Sequence, residues 1–186
     1  MSLIRTKREL QDIQRARQQQ CFSFLRYSPD ALLSDIRQRW FTHHMIHVEW
    51  FFIRRGPIAC TYRKSDPAPI YIHELLNHEE TPLEVMSLIF KHELLHHVIA
   101  PREVDGKIVS HPPEFCEKEQ EIAPERDDAW LWINMNFFSC LKRRDKLERI
   151  DVLPTWKTAW AQTRRSIIEL RSLYPATNAS NANTGW

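Results

Sequence analysis

Seven consecutive residues, Lys91-His92-Glu93-Leu94-Leu95-His96-His97, carry the clearest chemistry in this chain. On an α-helix, side chains four apart stand one above the other on the same face. His92 and His96 so spaced can turn two imidazole nitrogens toward one zinc ion. Glu93 adjoins the first of them. A carboxylate there can reach a water on the ion and act as its general base, so the chemistry on offer is metal-assisted hydrolysis. The alternative is a buried helix whose histidines are only hydrogen-bonded. A core helix, however, gains nothing from an ionisable Glu93 beside paired histidines, because buried charge is expensive.

This meaning holds only on a helix, and the flanks predict one. Thr81-Pro82-Leu83-Glu84 has the form of a helix start, with Thr81 as N-cap, Pro82 at the first helical position and Glu84 completing a capping box. Val85, Leu88, Ile89, His92, Leu95, His96 and Ile99 recur at helical spacing, and Pro101 stops the run. A catalytic zinc also needs a third protein ligand and an open position. After an Asp105-Gly106 hairpin-turn signal, the segment Ser110-His111-Pro112-Pro113-Glu114-Phe115 places His111 at the rigid start of another helix, with Ser110 or His111 near its cap. His111 is the natural third ligand, and Glu125 is the runner-up. Glu114, Glu117, Glu119 and Glu121 fit a solvated helix face better. His97 falls outside the ligand set. Arg102, Tyr62 and His97 are the candidates for stabilising an oxyanion.

The elements around these residues follow in chain order. Residues 1 to about 20 predict a polar helix made basic by Arg5, Lys7, Arg8, Arg15 and Arg17. Ser28 caps a second helix with Pro29 at its first position and Leu32, Leu33, Ile36, Trp40 and Phe41 on its apolar side. Met45–Ile53, Ile58–Arg63 and Ile70–His73 predict three strands of a small sheet just before the capped helix. His43, His44 and His47 are taken as surface or core histidines, and His73 and His78 as structural or surface ones. Residues 125 to 147 predict one long helix, with Lys142-Arg143-Arg144 suiting its C-terminal dipole. Thr155 caps a last helix with a seam of Trp156, Trp160, Thr163, Ile167, Leu170 and Tyr174. Residues 175–186, rich in Ala, Asn, Ser and Thr, predict a disordered tail.

Composition excludes several classes. A net charge of +2 gives no general pull toward nucleic acid or an acidic membrane. No stretch is long and apolar enough to span a bilayer, and the charged start lacks the apolar run of a signal peptide. Cys21, Cys60, Cys116 and Cys140 are widely spaced without a CxxC pair, which predicts reduced thiols and a cytoplasmic protein. The 186 residues are most simply one α+β domain over 1–174, its core at about 30–120 and its C-terminal helices at 125–174.

The order of three strands, capped helix with His-Glu-Leu-Leu-His, hairpin and then His111-Pro112-Pro113-Glu114-Phe115 resembles the SprT-like and WLM-type zinc metallopeptidases over about residues 30–120. The resemblance implies a zincin-like fold, with the sheet packed on the active-site helix. It implies His92, His96 and His111 as zinc ligands, Glu93 as general base, Phe115 beneath the site and a protein or peptide substrate. Two features depart from the pattern. Pro112 stands where SprT proteins carry Gly, and the Cys-rich ribbon that follows their catalytic domain has no counterpart. The sequence is also compatible with two other classes: a zincin-fold binding or regulatory module with little or no turnover, and a nucleic-acid-associated protein using the basic segments at 5–17 and 142–149.

Overall fold

The computed structural model describes residues 23–144 and 149–163. The basic segment at 1–20, the tail at 175–186 and the far half of the C-terminal seam lie outside the described residues. The chain forms a mixed α+β structure with small sheets of two or three strands.

Helix α1 (Pro29–Trp40) begins as its sequence predicts: Ser28 accepts the Ala31 amide and Pro29 takes the first turn, where a missing N–H costs nothing. Leu33 and Ile36 turn inward. Strand β1 (Val48–Ile53) follows, tied back to α1 by the Trp50 indole donating to Asp30 at 2.7 Å. The chain then makes β2 (Gly56–Pro57), β3 (Ala59–Thr61) and β4 (Ala68–His73). The first sheet has the order β1-β4-β3, with β1 parallel and β3 antiparallel to β4. Every residue of central β4 is buried: Ile70 and Ile72 join the main core, and Tyr71 packs with Ile53 on the other face. The three strands expected from the sequence are thus present, the first two shorter than expected and the third extended back to Ala68.

Helix α2 (Leu83–Val98) is the element the rest encloses. It touches α1, β3, α3 (Pro113–Ile122) and α4 (Arg126–Phe137). A helix covered on so many sides should be apolar nearly all round. Val85, Met86, Leu88, Ile89, Phe90, Leu94 and Leu95 are indeed all buried. Its start differs from the sequence expectation. Pro82, not Thr81, is the N-cap, no side chain caps the helix, and the Thr81 hydroxyl is buried without a hydrogen-bond partner. Pro82 has extended backbone angles, so the helix begins at Leu83, one residue late for a Thr81–Glu84 capping box. Tyr27 instead closes this end, its hydroxyl lying 3.1 and 3.0 Å from the Thr81 and Pro82 carbonyls.

Beyond α2, strands β5 (Arg102–Val104) and β6 (Lys107–Val109) form the expected hairpin. Asp105 and Gly106 both have positive φ, 51° and 72°, as a tight two-residue turn requires. Helix α3 has Pro112 as N-cap and Pro113 at its first position, so His111 precedes the cap.

The single long helix expected over 125–147 does not form. Helix α4 ends at Phe137, a 3-10 turn covers Phe138–Cys140, and β7 (Leu141–Arg144) and β8 (Arg149–Val152) form a hairpin. Lys142, Arg143 and Arg144 therefore lie on a strand and complement no helix dipole. Long-range pairing overrides local helix propensity here. β8 pairs with β2 to give the order β2-β8-β7, and the Ile58 amide donates to the Ile150 carbonyl at 2.9 Å. The last described helix, α5 (156–163), begins after Thr155 and buries Trp156. One contiguous core runs from Leu33 on α1 to Trp156. Among the described residues, no helix is long and apolar enough to cross a membrane.

Candidate metal centre

Helix α2 aims His92 and His96 toward one point, and the segment entering α3 brings His111 to it. The His92 and His96 Nε2 atoms are 3.2 Å apart, and His111 Nε2 lies 3.2 Å from each. Among the described residues these three form the group close enough to hold a metal ion. As a purely hydrogen-bonded cluster the triangle is poor, because one N–H can point at only one neighbour and three contacts are equally short. Phe115, fully buried on the first turn of α3, lies against all three rings with centroid distances of 5.1, 4.7 and 4.8 Å. Its ring forms the floor of the site and restricts how the imidazoles turn.

Behind His92 lies a residue that the sequence alone does not single out. Glu119, two turns into α3 and buried, sits 2.5 Å from His92 Nδ1 through Oε1 and accepts from Arg126 Nε at 2.7 Å through Oε2. A carboxylate on Nδ1 holds the proton there and leaves Nε2 with its lone pair free, the state a metal ligand needs. Burial would lower the His92 pKa, but the Glu119 hydrogen bond and the charges of Glu93 and Glu119 outweigh it and raise the net value. Burial likewise opposes ionisation of Glu119, yet His92 and Arg126 hold its carboxyl below the usual range. The available signal was its spacing: Glu119 follows Phe115 by one turn on the same face of α3.

Glu93 points from the buried side of α2. It is 3% exposed, and its Oε2 has no hydrogen-bond partner. Burial, reinforced by the Glu119 charge and opposed by His92, raises its pKa to about 7. His96 is pushed in the opposite sense, to about 2, by burial and by the neighbouring His92, His111, His97 and Arg63. A neutral imidazole there is free to donate its lone pair.

The other sequence candidates lie elsewhere. Glu125 lies outside the histidine cluster: its Oε1 accepts from Lys91 Nζ and from Ser87 Oγ, both at 2.7 Å. His97 is bound to β3, its Nε2 2.8 Å from the Thr61 hydroxyl, which itself donates to the Pro69 carbonyl. Arg102 is exposed on β5 and pairs with Glu114 at 3.0 Å. Tyr62 lines the cavity in front of the histidines. Exposed His47 pairs with Asp66 at 3.2 Å. His73 is fully buried and caps the turn Glu74–Leu76, and His78 stacks edge-on to Trp160.

The cavity, of about 780 Å³, opens between β3 and the segments 110–119 and 126–134. His92, Glu93, His96 and His111 all line it, so a ligand can approach the histidines from solvent with the Glu93 carboxylate alongside. Comparison with protein-family models, curated proteins and solved structures finds no match to this chain.

Proposed function

We propose that the chain is a zinc-dependent metallopeptidase of zincin-like architecture, with His92, His96 and His111 as the metal ligands and Glu93 as general base. The observation that carries this reading is the triangle of Nε2 atoms at 3.2 Å beside a buried, unpartnered Glu93 oxygen in an open cavity. Three imidazoles suit zinc. Tetrahedral Zn–N bonds of about 2.0–2.1 Å place ligand nitrogens about 3.3 Å apart, close to the spacing found. Zinc, when bound, supplies a Lewis acid for the scissile carbonyl and for water.

The chain's own groups do the rest. Glu119 holds the His92 proton on Nδ1. Glu93, with a pKa raised to about 7, is matched to taking a proton from the attacking water and returning it to the leaving amine. The low-dielectric wall of Leu88, Ile89 and Phe115 strengthens each of these interactions.

Metal analysis and cleavage of denatured casein test the reading together. Purified protein should carry one zinc, and His111→Ala should lose it. Glu93→Gln should keep both zinc and fold while cleavage falls by about 10²–10⁴-fold, the usual worth of a general base. A preparation that never holds zinc, or a Glu93→Gln variant as active as the parent, overturns the proposal. Zinc without cleavage of any substrate would favour a binding or regulatory module.

A further inference from the structure

We propose that Arg63 is the specificity-determining residue of the cavity and selects peptides carrying a carboxylate near the bond to be cleaved. The inference rests on the peptidase reading and names the substrate class for it. Arg63 stands just past edge strand β3 and lines the cavity that holds His92, His96 and His111. It is exposed, and it makes no hydrogen bond or ion pair among the described residues. The second cation on the cavity wall, Arg126, is already engaged by Glu119 at 2.7 Å and Asp127 at 3.0 Å. The two carboxylates on the wall leave Arg63 uncompensated as well: Glu119 is held between His92 and Arg126, and Glu93 is buried beside the ligands.

Most of the remaining wall is apolar, with Ile58, Ala59, Leu88, Ile89, Phe115 and Trp130. The result is an apolar trough with one free guanidinium at its rim. Its complement is a largely apolar peptide with a carboxylate placed to meet Arg63. The planar fork of a guanidinium matches a carboxylate in two-point contact, which a lysine would not reproduce. An Asp or Glu side chain and a free C-terminal carboxylate share this chemistry.

Binding to the full-length Glu93→Gln protein separates the two sources without relying on turnover. The probes are dansylated octapeptides of Ala, Leu and Ser. One set is C-terminally amidated and carries Asp, Asn or Lys at a single scanned position; a second set, with no charged side chain, ends in either a free carboxylate or an amide. One carboxylate-bearing set should bind about two- to fivefold tighter than its neutral partner, the range for an exposed ion pair. The set that does so identifies the source. The preference should vanish when Arg63→Gln is added, turn toward Lys-bearing peptides in Arg63→Glu, and fade in about 1 M NaCl, where the Debye length is about 3 Å. Near-ultraviolet circular dichroism checks that these exposed substitutions leave the fold intact. Equal binding of acidic and neutral peptides, no binding of either set, or an acidic preference that survives Arg63→Glu overturns the inference. Zinc and cleavage without acidic selectivity would overturn the Arg63 assignment alone. Acidic selectivity that depends on Arg63 in a protein holding no zinc would overturn the peptidase reading alone.

Discussion

Replacing Glu119 by glutamine isolates the contribution of the group behind the metal ligands. The carboxylate meets two donors at once, His92 Nδ1–H at 2.5 Å and Arg126 Nε–H at 2.7 Å. A glutamine of the same shape offers one oxygen and one NH₂ to those two positions. With the oxygen toward His92, the NH₂ faces the Arg126 donor. With the NH₂ toward His92, Nδ1 must accept, and the ring proton moves to Nε2, the atom aimed at His96 and His111. Either orientation sacrifices one charge-assisted hydrogen bond, worth about 1.5–3 kcal/mol. Outer partners of metal-bound histidines carry about 10- to 100-fold in metal affinity, which converts to about 1.4–2.7 kcal/mol. The two figures agree, so a zinc affinity lower by about 10- to 100-fold is expected for Glu119→Gln, read by competition with a chromophoric chelator on protein shown to be folded. Glu125→Gln is the control. It changes an equally acidic residue six positions on, but one bound to Lys91 and Ser87, and its folded form should bind zinc within about twofold of the parent. If Glu119→Gln holds zinc as tightly as the parent, or both variants weaken alike, the assignment of Glu119 as the group that orients His92 is wrong.

Removing the Glu125 side chain altogether should instead cost stability. Lys91 is 7% exposed and Glu125 is its partner, so Glu125→Ala strands a buried charge and should lower the unfolding free energy by about 3–5 kcal/mol in urea titrations, with zinc content per folded chain unchanged. Replacing both residues by apolar ones should recover most of the loss; a double variant as unstable as Glu125→Ala would refute the explanation. His73 should impose an acid limb on stability. It is fully buried with Nδ1 accepting the Leu75 amide and Nε2–H facing the Arg54 carbonyl, and burial lowers its pKa from 6.5 to about 4. The unfolded chain then binds the proton first as pH drops, so this stabilisation is complete above about 6.5 and is lost progressively toward pH 4, by up to about 3 kcal/mol. Denaturant titrations across that window should show a shallower slope in His73→Asn, whose amide oxygen can still accept from Leu75; equal slopes would refute the assignment.

Legibility in the sequence followed the range of the interactions. The start of α1 was legible because Ser28 and Pro29 act within one turn. The β5–β6 hairpin was legible because Asp105 and Gly106 set the turn by their own backbone preferences. The placement of His111 beside His92 and His96 followed from local signals at both ends, a helix periodicity and a Pro-Pro helix start. What failed was whatever depended on distant partners. Leu141–Arg144 has ordinary helix formers, and only pairing with Arg149–Val152 and, through it, with Gly56–Pro57 makes it a strand. Thr81 satisfies the capping-box spacing, yet the helix starts one residue late and the Tyr27 hydroxyl, more than fifty positions away in sequence, occupies that end.

The same distinction explains why Glu119 looked like surface. From Glu117 to Asp128 the chain carries six acids, one lysine and one arginine, which in isolation describes a solvated helix face. In the fold, two acids of that run are fastened directly to α2, and Arg126 to one of them. Glu119 holds His92, Arg126 holds Glu119, and Glu125 holds Lys91 and Ser87. The corner between α3 and α4 thus grips α2 at residues 87, 91 and 92, of which Ser87 and Lys91 share one face a turn apart and His92 lies on the neighbouring face. Acids that face water need no such geometry. Acids that must neutralise a buried lysine and orient a buried histidine do, because a burial penalty left uncompensated on either would exceed the worth of any surface ion pair. The charge run is therefore a clamp. Its two halves make separable demands, one on the stability of the helix and one on the tautomer of its first ligand, which is why Glu125 and Glu119, six residues apart, should fail in different assays when changed.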